Sequence, residues 1–124
     1  MSIPAEAREI VMGLVTKSTL GDVQWAVGES EREFVVNFPS YTVSVSKVER
    51  EDLGVRQVVF QVRDSRGYVV LDFDVHHYEE DYTTAAELFE LAKRKALDVP
   101  GALETLKKEL RKPGAIGSTG TGSV

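Results

Sequence analysis

The sequence predicts an α+β fold: a five-stranded antiparallel meander sheet, with one N-terminal and two C-terminal helices packed on one face and the other face open. Three observations carry this. Apolar residues recur with a helical period at both ends of the chain and with a period of two between them. Short connectors rich in turn residues separate the alternating segments, and they leave no room for the crossovers that parallel pairing needs. Five strands span about 24 Å and three helices cover about 24–30 Å, so the helices match one sheet face.

Ile3, Ala7, Ile10, Val11 and Leu14 share one helical stripe, so residues 4 to about 18 read as an amphipathic helix stopped near Gly21. The strand candidates are VQWAV (23–27), REFVVNF (32–38), YTVSVSKV (41–48), VRQVVFQVR (55–63) and YVVLDFDVH (68–76), all rich in β-branched and aromatic residues. Their connectors are GESE, Pro39-Ser40, EREDLG and DSRG.

A one-residue slip in pairing flips a strand's side chains to the other face, so the connectors also specify register. Tight hairpins at Pro39-Ser40 and Ser65-Arg66 place Val36 opposite Val43 and Phe60 opposite Leu71. Extension through the other hairpins pairs Trp25 with Val36 and Val43 with Phe60. The core face then collects Val23, Trp25 and Val27 from the first strand and Phe34, Val36 and Phe38 from the second. Tyr41, Val43 and Val45 follow, then Val58, Phe60 and Val62, then Val69, Leu71, Phe73 and Val75.

After the strands, Thr84 and Glu87 have the spacing of a capping box, and Ala85, Leu88, Phe89, Ala92 and Ala96 form a stripe. Pro100-Gly101 breaks that helix. A last helix, roughly 101–111, carries Leu103, Leu106 and Leu110 and ends at Pro113-Gly114. Residues 1–112 thus read as a single α+β domain, followed at 113–124 by a flexible Gly/Ser/Thr-rich tail. The tail lacks the preceding strand and following lysine of a phosphate-cradling glycine loop.

At 124 residues the chain can bury roughly two thirds of its unfolded surface without a covalent staple. It has no cysteine, hence no disulfide and no thiolate metal site. The N-terminus has acids where a signal peptide carries lysines, and no apolar run approaches a membrane span, so a soluble cytoplasmic protein is expected. Residues 1–92 carry 8 basic and 17 acidic side chains, whereas 93–112 carry 7 and 3, a balance of −9 against +4. The basic residues cluster at helix ends, where they complement the macrodipole. That explanation, with the net charge of −5, places nucleic-acid binding last among the alternatives.

The stretch FDVHHYEEDY (73–82) concentrates two histidines and four acids. Alternation puts Asp72, Asp74 and His76 on the face opposite the core, an arrangement of metal-ligand types. Same-face neighbours are about 6.7 Å apart, too far for all three to converge from a straight strand. The inferred register sets Val59 beside Asp72, Gln57 beside Asp74 and Val55 beside His76, none a strong ligand. His77 marks the strand's end, and Glu79, Glu80 and Asp81 complement the start of the following helix. No nucleophile elbow is present, and no cofactor is expected.

The outer sheet face is the more informative feature. Val35, Asn37, Thr42, Ser44, Gln57, Val59, Gln61 and Val70 give it an uncharged, short-chained centre. A merely solvated face carries more Lys and Glu. A small non-enzymatic interaction or regulatory protein is therefore expected, using this face for a protein partner or for self-association. The alternatives are a metal- or small-molecule-dependent activity at Asp72, Asp74 and His76, and nucleic-acid binding through the basic helix ends.

Overall fold

The computed structural model describes residues 3–114. In chain order the elements are α1 (Ala5–Thr19), β1 (Ala26–Val27), β2 (Glu33–Asn37), β3 (Tyr41–Arg50), β4 (Val55–Asp64), β5 (Val69–His76), α2 (Tyr82–Ala96) and α3 (Val99–Arg111). The five strands pair antiparallel in that same order, the meander expected from the connectors. Residues 115–124, most of the expected tail, lie outside the described residues.

Helix α1 ends as its sequence predicts. Gly21 takes φ +78°, its N–H donates to the Ser18 carbonyl (3.0 Å) and the Asp22 N–H donates to the Lys17 carbonyl (2.9 Å). These two bonds make a Schellman cap, which favours glycine because a Cβ is strained at that φ. The helix buries Ala7, Val11, Leu14 and Val15, while Ile10 is left 46% exposed. Val15 lies one turn beyond Val11 on the same stripe, and Ile10 falls on its flank. Ile3, ahead of the helix, is buried in the core.

Two registers follow expectation and two are corrected. Val36 faces Val43, and the Ala26–Val35 pairing continues the predicted Trp25–Val36 alignment. Val43, however, pairs with Val62 and not Phe60, because four residues, Glu51 to Gly54, form the β3–β4 loop. Phe60 pairs with Phe73 and not Leu71. Here the loop closes from Asp64 to Tyr68, with Gly67 at φ +90°, and an irregularity beside Val62/Arg63 admits one further residue. Each shift alone would invert the faces; two together restore them. The two-residue offset therefore leaves the predicted core face of β4 and the inner residues Leu71, Phe73 and Val75 in place.

Every buried strand residue belongs to that face: Phe34 and Val36 on β2, Val43 and Val45 on β3, Val58, Phe60 and Val62 on β4, and Val75 on β5. They form one cluster with the buried residues of α1 and α2, joined by Trp25, whose indole N–H donates to Ser18 Oγ (2.9 Å). Phe34 meets Phe89 with ring centroids 5.4 Å apart, and Phe60 stacks on Phe73 at 5.0 Å. Removing side chains of this size from water stabilises a fold by about 1.5–3 kcal/mol each. Four predicted core residues are instead exposed: Val27, Phe38, Tyr41 and Val69. The first three sit at strand ends, and Val69 occupies the position opposite Arg63 created by the irregularity.

Helix α2 buries Ala85, Leu88, Phe89 and Ala92, the expected stripe. Its start differs from expectation. The helix begins at Tyr82, so Thr84 lies within the first turn and the predicted Thr84–Glu87 capping box does not form. Asp81 occupies the N-cap position but caps nothing with its side chain: its Oδ2 accepts from the Ile3 N–H and from Arg8 Nη2, both at 3.2 Å. That carboxylate ties the N-terminal segment to α2.

The break before α3 falls at Leu97-Asp98, ahead of the expected Pro100-Gly101. Asp98 adopts φ +51° and accepts a hydrogen bond from the Gly101 N–H, and Pro100 sits in the first turn, where no donor is needed. Helices α1 and α2 cover the sheet as expected. Helix α3 follows in its expected place in the chain, but among the described residues it packs only against α2 and buries no residue.

Candidate functional site

With α1 and α2 on one side, no helix among the described residues lies on the opposite face of the sheet, whose residues form a grid. Val35, Ser44, Gln61 and Asp72 make one row across β2 to β5. Glu33, Ser46, Val59 and Asp74 make the next, followed by Val48, Gln57 and His76, then Arg50 and Val55. The centre holds no charged side chain. Charge stands at the margin: Asp72 and Asp74 along β5, and Glu33, Arg50 and Arg63 toward strand ends. Lys47, on the other side of β3, turns its ammonium over the Phe89 ring (5.3 Å) and toward Glu90 (3.8 Å).

Of the eight residues expected to line this face, Val35, Thr42, Ser44, Gln57, Val59 and Gln61 are half-buried among their neighbours. Asn37 and Val70 are exposed. Asn37 Oδ1 accepts from the Thr42 hydroxyl (2.9 Å), a cross-strand bond that holds the amide against the sheet. Val70 is displaced from the grid, because it is the extra residue that the β4–β5 irregularity accommodates, and it is 55% exposed. Val48 and Val55 belong to the face; neither was among the eight expected lining residues, and Val55 was placed there only as the expected neighbour of His76. The same alternation carried one step further along β3 and one step back on β4 finds them. With Val59 they form an apolar group near the β3–β4 hairpin.

The residues expected as metal ligands have different neighbours from those predicted. Asp72 faces Gln61, Asp74 faces Val59 and His76 faces Gln57, the same two-residue correction. Asp72 and Asp74 are exposed. His76 Nε2 lies 3.8 Å from Asp74 Oδ1, while its ring stacks on Tyr78 with centroids 5.3 Å apart. Its Nδ1 is buried without a hydrogen-bond partner among the described residues. Among the described residues, no group of three or more His, Cys, Asp or Glu is placed to hold a metal ion.

His77 closes β5, as expected. Its backbone N–H donates to the Arg56 carbonyl (2.8 Å), and its Nδ1 accepts from the Arg56 N–H (3.1 Å). It borders an open depression of about 280 Å³ shared with Glu49, Arg50 and Arg56, whose mixed charges form no nucleophile–base pair. Glu79 Oε2 accepts from the His76 N–H (2.8 Å), so this acid holds the strand end.

The basic helix ends are where the sequence places them. Lys93, Arg94 and Lys95 fill the last turn of α2, with Lys108 and Arg111 in the last turn of α3. Lys107 pairs with Glu104 (3.6 Å) within α3, and Lys112, just past its end, pairs with Glu109 (3.0 Å). No helix among the described residues is long and apolar enough to cross a membrane.

The fold and this grid define the class: an α+β domain with one sheet face covered by helices and the other left open. Comparison with family models, with curated proteins and with solved structures finds no match for the chain.

Proposed function

We propose that the protein is a non-enzymatic interaction module that docks a protein partner, or a second copy of itself, on the open sheet face. One observation carries the reading. A five-stranded face with no helix over it among the described residues has an uncharged centre of Ser44, Ser46, Gln57, Val59 and Gln61, and its charges stand at the margin. Interfaces have this anatomy, a centre depleted of charge inside a polar rim, whereas a face kept only for solvent has no reason to exclude lysine and glutamate. The expected setting is the cytoplasm.

The test is site-specific photo-cross-linking in the native host. A photoreactive residue in place of Gln61 is expected to form covalent adducts with protein, and the same residue at exposed Glu87 on α2 is not. Adding Ser44→Lys with Val59→Lys is expected to remove the adducts and leave the melting temperature unchanged. Equal adducts from both positions, or none from Gln61, overturn the reading.

A further inference from the structure

We propose that the occupant of the open sheet face is helix α3 of a second copy of this chain. The inference rests on the docking reading above and names its partner.

Among the described residues, two surfaces lack the layer they are built to meet. A helix with an apolar stripe is stable when the stripe lies on another element, and a sheet with apolar positions on both faces calls for a second layer. On α3, Leu103, Leu106 and Leu110 fall on one stripe and are 47%, 57% and 63% exposed. An isolated helix of 13 residues is marginal in water. Because α3 buries no residue among the described residues, a layer from elsewhere is what would hold it. The open face offers Val35, Val48, Val55 and Val59 with short polar residues between them, so bulky leucines can sit down on it.

Dimensions and charge agree with this match. Helix α3 is about 20 Å long, and β3 and β4 are about 33 Å long, so the helix fits wholly within the face. Helical spacing places Lys107 and Arg111 one turn apart on one flank of the leucine stripe. Asp72 and Asp74 stand side by side on β5, next to Gln61 and Val59. Laid on the valines with this flank toward β5, α3 brings two cations to two exposed carboxylates. Helix α3 carries Lys107, Lys108 and Arg111 against Glu104 and Glu109, a balance of +1, so the match lies in where its cations stand opposite Asp72 and Asp74 and not in its net charge.

Sedimentation velocity of the full chain over a concentration series tests this. Wild type is expected to self-associate. Leu103→Ser with Leu106→Ser is expected to weaken association at least tenfold while leaving the fold intact, since neither residue is buried. Lys107→Glu with Arg111→Glu, or Asp72→Lys with Asp74→Lys, is expected to weaken it as well, and the four changes combined to restore it. A monomer at every concentration overturns a second copy as the occupant, as does failure of the combined variant to recover association. Association that survives the α3 leucine changes but is lost in Ser44→Lys with Val59→Lys overturns α3 as the occupant and leaves the open-face reading standing. Association that survives both sets overturns the two together.

Discussion

Asp64 sits at the tip of the β4–β5 hairpin, where one carboxylate gathers the turn around it. Its Oδ1 accepts from the Arg66 N–H (2.9 Å) and the Tyr68 N–H (3.0 Å), and its Oδ2 lies 3.3 Å from Arg66 Nη2. Desolvation pulls its pKa upward, but the backbone donors of Tyr68 and Arg66, the Arg66 guanidinium and the Gly67 N–H outweigh it and hold the carboxyl below its ordinary value of 3.8. A carboxylate depressed in the folded state stabilises the fold fully above the unfolded pKa and stops doing so as pH falls through the folded one. The stability gap between wild type and Asp64→Asn is therefore expected to be constant near neutral pH and to close on acidification below 3.8, in denaturant titrations run across that range. A gap unchanged at low pH would show that the charge plays no part. Gly67→Ala, at φ +90°, is expected to destabilise the same turn by about 1–2 kcal/mol, measured by urea unfolding.

Elements were legible from the sequence wherever the hydrophobic period was long, because period decides which side of an element can be buried. The strands, their order and nearly all of the buried stripes of α1 and α2 follow from it. Three features were not legible, each for a physical reason. Loop geometry set the β3–β4 and β4–β5 registers, and alternation alone cannot tell a two-residue offset from none. The N-terminus of α2 turned on competition for Asp81, which binds Ile3 and Arg8, residues remote in sequence. For α3, periodicity showed an apolar stripe but could not say whether its own chain covers it. The two helices make a direct comparison in one residue type: Leu88 is 1% exposed and Leu106 is 57% exposed. Leu88→Ala is expected to cost about 2–5 kcal/mol through lost burial and the cavity it leaves. Leu106→Ala, measured in dilute solution where copies do not meet, is expected to change stability by less than about 0.5 kcal/mol. Comparable losses for both would mean that α3 belongs to the monomer's core.

At the scale of the whole molecule, the candidate site was the most legible feature and its neighbourhood the least. Alternation identified six of the half-buried residues on the open face, while Val70 left the grid through an irregularity that no local pattern announces. What joins that face to α3 is the distribution of charge, and charge answers to salt where apolar burial does not. Screening shortens from about 10 Å at 0.1 M to about 3 Å at 1 M. Two exposed carboxylate–cation pairs are worth about 0.4–2 kcal/mol together, so sodium chloride over this range is expected to weaken self-association roughly 2- to 30-fold. The loss should then level off, because the leucine–valine contact is not screened. Ammonium sulfate, which strengthens apolar burial by exclusion from protein surface, is expected to restore association at equal ionic strength. Sedimentation equilibrium in the two salts separates the cases. Association that only strengthens with both points to sheet stacked on sheet without α3, and association that falls without limit in both points to charge alone and removes the leucines from the interface.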